Sequence, residues 1–219
     1  MSSDSRRHFI RNTSLAGISS LAFSGLAAQS ARHSGIATLE NPFSPEDIDN
    51  AALPITGTFL DEISMDIPHQ NWGEREWEQD FRNMKAIGID TVIMIRCGYR
   101  KFIAYPSSHL LKNGCYRPPV DLLDLFLRLA DKYNMKFFFG LYDSGKKMDS
   151  GDLSWGLEDN KYVIDEAWNQ YGKKYKSFGG WYISREISRE TKGAIGAFHD
   201  LGKQCKVVSG GLPTFISPY

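Results

Sequence analysis

Between Ile55 and Tyr219, five apolar runs of strand length alternate with four stretches of helical period, and this alternation constrains the fold most. The runs are Ile55–Leu60, Thr91–Ile95, Lys136–Tyr142, Phe178–Ile183 and Thr214–Ile216. Thr91–Ile95 is apolar almost throughout, as a strand covered on both faces should be. Trp77, Phe81, Met84 and Gly88 recur at helical spacing behind Asn71 and Glu74, a pair that reads as a capping box. A broad stripe from Leu122 to Tyr133 starts near Asp121, and Val163, Ile164, Ala167, Trp168 and Tyr171 make the third helix. Ala194, Ala197, Phe198, Leu201, Cys205 and Val208 make the fourth, stopped by Gly210-Gly211.

Strict alternation over five strands implies a parallel sheet with crossover helices. Each unit exceeds the roughly 30 residues of a minimal βαβ unit. The excess lies after the strands, from Arg96 to Pro119 and from Asp143 to Asn160. Long loops after strands fit an α/β fold of (β/α) barrel type, with its site on the C-terminal face. A doubly wound open sheet is the rival, but no G-x-G-x-x-G or P-loop motif follows any strand. Five units occupy about 165 residues, whereas eight would need about 264, near the usual barrel length. Residues 54–219 therefore read as a (β/α)8 TIM-barrel type truncated after the fifth strand, poorly stable and inactive alone.

Ahead of the strands, Ser5-Arg6-Arg7-His8-Phe9-Ile10-Arg11 reads as a twin-arginine export motif, and the small, mildly apolar run Leu15–Ala28 completes a leader over 1–31. That run is too short and rich in small residues for a membrane span. Residues 32–53, polar with Pro42 and Pro45, read as a linker. Export implies a periplasmic or extracellular site, where disulfides are allowed. Cys97, Cys115 and Cys205 are too few for a disulfide framework, and buried free thiols are the preferred reading over a Cys97–Cys115 pair. Equal numbers of acids and bases, 26 each, argue against nucleic-acid and anionic-membrane partners.

Chemistry concentrates at the strand ends. Gly179-Gly180-Trp181-Tyr182-Ile183 delivers Glu186, and a carboxyl beside Trp181 or Tyr182 would be partly desolvated toward a general acid. Capping of the next helix, or pairing with Arg185 or Arg189, is the plainer role for Glu186. Asp61 and Glu62 close strand one, Arg96 strand two, and Tyr142-Asp143 strand three, while the loops add Tyr99, Tyr105, Trp155 and Trp72. Flat aromatic faces stack on pyranose rings and carboxylates accept their hydroxyls, although each aromatic alone is more simply core. The five histidines show no metal-binding spacing, no G-x-S-x-G elbow is present, and no cofactor is implied.

Ile55-Thr56-Gly57-Thr58-Phe59, Gly88-Ile89-Asp90-Thr91-Val92-Ile93, Tyr105-Pro106-Ser107, Gly140-Leu141-Tyr142, Gly180-Trp181-Tyr182-Ile183 with Glu186, and Ile216-Ser217-Pro218 together resemble the domain of unknown function 4434 family of exported glycoside-hydrolase-like barrels. The resemblance covers about Leu53 to Tyr219. It implies a TIM barrel, a carbohydrate ligand, and for Glu186 the strand-four position where related glycosidases keep their acid/base. Those enzymes usually carry Asn immediately before that glutamate; here it is Arg185. Their nucleophile sits at the end of strand seven, so none is named here.

The expectation is an exported glycoside hydrolase-like barrel. Glu186 would be the general acid/base, Tyr105, Tyr142, Trp155, Trp181 and Tyr182 would line the cleft, and Asp61, Glu62 and Arg96 would bind hydroxyls. A non-catalytic carbohydrate-binding or scaffold barrel is the alternative. Nothing in the pattern specifies substrate, linkage or oligomeric state.

Overall fold

The computed structural model describes residues 54–63, 72–145, 154–184 and 193–217, with the side chains of 154–156 excepted. The leader, the linker and Glu186 lie outside the described residues.

Five strands form one parallel sheet: β1 (Gly57–Leu60), β2 (Thr91–Met94), β5 (Lys136–Gly140), β7 (Phe178–Tyr182) and β8 (Thr214–Phe215). They neighbour one another in chain order, with no reversal. The crossovers contain α1 (Glu74–Ala86), α3 (Leu122–Lys132), α4 (Ser154–Ala167), which ends in a π-helical turn at Trp168–Gly172, and α5 (Ala194–Ser209). All four expected helices are present. α1 starts later than its pattern suggested: Gly73 precedes it, and Gly73 N–H donates to the Glu76 carboxylate at 3.0 Å. Glu76 thus does the work expected of Glu74. α4 starts earlier, at Ser154, so helix replaces part of the loop expected up to Asn160. α5 stops at Gly210, whose φ of 69° suits the left-handed turn that ends helices.

Period two divides the sheet into unlike faces. Leu60, Val92, Met94, Phe137, Phe139, Phe178 and Trp181 are buried and join one core with α1, α3, α4 and α5. Each such side chain contributes about 1.5–3 kcal/mol on burial. The opposite face carries Phe59, Ile93, Phe138, Tyr182 and Phe215. Here Phe215 covers Phe138 at a centroid distance of 4.5 Å, and Phe59 meets Tyr182 at 5.2 Å. Phe59 and Phe215 themselves remain 50% and 42% exposed. The expected cover on both faces is therefore uneven: helices on one side, a thin aromatic layer on the other.

The long loops after β2 and β5 are themselves structured. Both strands bend and pair again as β3 (Gly98–Tyr99) and β6 (Tyr142–Asp143), and β4 (Phe102–Ile103) completes a three-stranded sheet at the C-terminal edge. A short helix, α2 (Ser108–Lys112), follows. Ser107 Oγ accepts from Leu110 N–H at 3.2 Å and donates to Glu166 at 2.5 Å, pinning this loop to α4. His109 adds two ties, its N–H to Glu166 and its ring to Asp159 at 2.8 Å.

Candidate functional site

Parallel strands end together, so charged residues just past them gather at one edge. Arg96 follows β2, the strand between β1 and β5, and reaches both neighbours. Its guanidinium lies 3.7 Å from Asp61 Oδ2 and 3.8 Å from Asp143 Oδ2. It also lies over the Tyr99 ring, 5.0 Å from the centroid. The two carboxylates are oriented by backbone: Asp61 accepts from Ile63 N–H at 3.3 Å and Asp143 from Gly145 N–H at 2.8 Å. All three charged side chains keep about a fifth of their surface in solvent, at 21%, 21% and 17%. Ion pairs of this length and exposure contribute little to stability. They fix a row of acceptor, donor and acceptor, which is the pattern a polyhydroxylated ligand can meet.

Glu62 differs from its neighbour. It is 4% exposed, and neither carboxylate oxygen has a hydrogen-bond partner among the described residues. Burial pushes its carboxyl well above the ordinary range, the Asp61 charge adds to this, and Arg96 opposes it. Glu62 therefore does not face a ligand as a carboxylate in the way Asp61 does. From the usual value of 4.5 upward, the folded chain keeps a proton that the unfolded chain has lost. Stability then falls with rising pH at about 1.4 kcal/mol per unit until the folded group ionises. Glu62→Gln, which cannot ionise, is expected to match the parent near pH 4 and exceed it increasingly as the pH rises above 4.5. Urea unfolding at a series of pH values measures this, and a difference that does not grow with pH contradicts it.

The structure redistributes the expected aromatics. Trp181 is fully buried on the helix-facing side, against Phe139, Phe178 and Trp168, and its N–H donates to Ser209 Oγ at 3.1 Å. Tyr105 is also fully buried, edge-on to Phe139 and Tyr171. Its hydroxyl has no hydrogen-bond partner among the described residues, and burial raises its pKa strongly. Tyr142 is 9% exposed and spends its hydroxyl on the Arg100 carbonyl at 2.5 Å, while the Asn160 amide clasps its backbone on both sides. These three belong to the framework, because none presents a ring face to solvent. Tyr182 lies on the other sheet face, buried against Phe59. The Trp155 side chain is outside the described residues. Asp61 and Arg96 do meet; Asp143 and Tyr99 join them, the first marked in sequence by its strand end and the second only as a loop aromatic.

Cys97, Cys115 and Cys205 are free thiols, two of them buried. Among the described residues no group of three His, Cys, Asp or Glu side chains could hold a metal, and no helix is long and apolar enough to cross a membrane.

Comparison with known proteins gives the chain its context. A solved structure from Bacteroides thetaiotaomicron VPI-5482, described as a "putative alpha-L-fucosidase", is 76% identical, with a TM-score of 0.72 over 76% of this chain and 52% of its own. The chain thus spans about half the length of that protein. A bacterial fucosidase solved with an inhibitor is 13% identical over 66% of this chain and 33% of its own, with a TM-score of 0.46. No curated protein matches. Residues 55–219 match the family described as domain of unknown function DUF4434, and the chain belongs to that family.

Proposed function

We propose that the chain forms the first five strands of an exported (β/α)8 barrel that hydrolyses glycosidic bonds. The observation that carries this reading is the Asp61–Arg96–Asp143 row at the common C-terminal edge of sequential parallel strands. Strand order without reversal favours a barrel over a doubly wound sheet, which reverses. The half-exposed Phe59 and Phe215 suit an interior face that three further strands would close. In this reading residues 1–31 are a twin-arginine leader, 32–53 a linker and 54–219 the barrel part.

In the sequence Glu186 comes four residues after the end of β7, much as Asp143 comes three after the end of β5. It acts as general acid/base, Asp61 and Asp143 accept sugar hydroxyls, and Arg96 donates to them. The second carboxylate comes from the later strands, about 5–5.5 Å away in a retaining enzyme and about 6.5–9.5 Å in an inverting one. The α-L-fucosidase description of the 76% identical protein makes α-L-fucosides the first substrates to try.

Glu186→Gln, made in the polypeptide spanning the whole barrel, is expected to lower hydrolysis at least about a hundredfold without shifting the melt. Unchanged turnover refutes the acid/base role. Saccharide binding without turnover in the unaltered protein supports the non-catalytic alternative. A cooperative melt with hydrolysis by the 219-residue chain alone would contradict the incomplete barrel.

A further inference from the structure

The small sheet at the strand ends has two unlike faces. Partners across β3 and β4 share a face, and parallel register places β6 beside β3. Gly98, Ile103 and Tyr142 point inward, where Ile103 and Tyr142 are buried. Tyr99, Phe102 and Asp143 form the other face, next to Arg96. Moving away from Asp143, that face becomes aromatic. Phe102 is 49% exposed and meets Tyr116, 55% exposed, edge to face at 5.4 Å. Scattered exposed aromatics need no explanation, but a contiguous pair continuous with a charged site does.

The chain segment that carries this pair is basic, with Asp143 at the far side of the same face. From Arg96 to Arg117 the sequence has five basic residues and no acidic one. Lys101 Nζ lies 5.9 Å from the Tyr116 ring centroid, and the Arg100 guanidinium lies 5.2 Å from that of Tyr99. Neither cation makes an ion pair among the described residues, whereas Arg128, Lys132, Lys161 and Lys174 all do. Arg100 also sits at φ 55°, in the turn between β3 and β4. That conformation costs a side-chain-bearing residue about 1–2 kcal/mol, and glycine would adopt it freely. The turn keeps an arginine there and holds it over Tyr99.

We infer that Tyr99, Phe102 and Tyr116, with Arg100 and Lys101, form an outer saccharide subsite for an anionic sugar unit. This rests on the carbohydrate reading of the adjoining site. Rings stack on the sugar faces and the two cations meet its carboxylate or sulfate ester. The ligand therefore extends beyond the unit held at Asp61, Arg96 and Asp143.

Binding of the whole protein to polygalacturonate, dextran sulfate and neutral dextran tests this. Phe102→Ala with Tyr116→Ala is expected to weaken binding of the preferred anionic glycan about tenfold, through the loss of two stacking rings. Arg100→Gln with Lys101→Gln is expected to weaken it about five- to tenfold and to change dextran binding by less than about twofold. The preferred polymer separates carboxylate from sulfate recognition. Should the alanine pair fail to fold, Phe102→Leu with Tyr116→Leu keeps apolar area while removing the flat rings. The subsite is refuted if only the charge variant weakens binding, since that is plain polyanion attraction. It is refuted equally if dextran binds as well as the anionic polymers, or if none binds. The hydrolysis assay on Glu186→Gln judges the carbohydrate reading separately.

Discussion

Trp181→Ala is expected to cost about 3–5 kcal/mol of folding stability, the range for deleting a large buried aromatic. The indole is fully buried, with ring centroids of Phe178, Phe139 and Trp168 at 5.0, 5.8 and 6.4 Å. Ser209 Oγ accepts its N–H and donates to the Cys205 carbonyl at 2.6 Å, so the tryptophan also ties β7 to the end of α5. Trp181→Phe keeps most of the apolar area and loses that tie, and about 1–2 kcal/mol is expected. Urea midpoints at constant m measure both. Intact stability with lost glycan binding would instead return Trp181 to the cleft.

The tryptophan also shows where sequence reading stops. Phe178, Trp181 and Tyr182 were visibly on one strand, but their faces depend on parity. Strict alternation from an inward-packed Phe178 puts Trp181 on the opposite side. The observed register pairs Phe137 with Phe178 and then Phe138 with Gly180, so Gly179 is an extra residue, a bulge. That insertion returns Trp181 to the helix-facing core and leaves Tyr182 on the other face. Two glycines in a strand hint at a bulge without saying which one is extra.

Other features divide along the same line. The five main strands were legible because each lies in a run of consecutive apolar or β-branched residues, down to the short Thr214–Ile216. β3, β4 and β6 are two residues each and α2 is five, too short for any period to register. Asp61, Arg96 and Asp143 were legible as strand-end charges, yet their meeting depends on β2 lying between β1 and β5. Tyr105 and Tyr142 looked like loop and strand-end aromatics; the packing of Tyr105 on Phe139 and Tyr171 and the clasp of Asn160 on Tyr142 are tertiary facts. His109 and Glu166, which fasten that loop, are separated by more than fifty residues and carry no joint signature.

Gly140→Ala is expected to damage fold and site together. A Cβ at this position would lie 2.2 Å from the Met94 carbonyl oxygen and 2.7 Å from the Arg96 nitrogen. Both are backbone atoms of β2 or its continuation, so no rotamer change relieves the clash, and ordinary carbon contacts need about 3.5 Å or more. β2 and β5 must separate where Cys97 N–H donates to the Gly140 carbonyl at 2.8 Å. Overpacking typically costs about 1–3 kcal/mol and a lost buried hydrogen bond about 1 more. The total expected is about 3 kcal/mol, or about a 150-fold shift in the folding equilibrium. The same separation moves Arg96 relative to Asp143, so glycan binding should weaken even under conditions where the variant is folded. Gly196→Ala is the matched control: among the described residues nothing lies within 4 Å of its added Cβ, and the position is inside α5. There the substitution is expected to stabilise by up to about 1 kcal/mol through helix propensity. Opposite signs at the two glycines would attribute the Gly140 effect to the close strand approach. A Gly140→Ala cost within about 0.5 kcal/mol of zero would mean that β2 and β5 do not need that approach to hold Arg96 between its two aspartates.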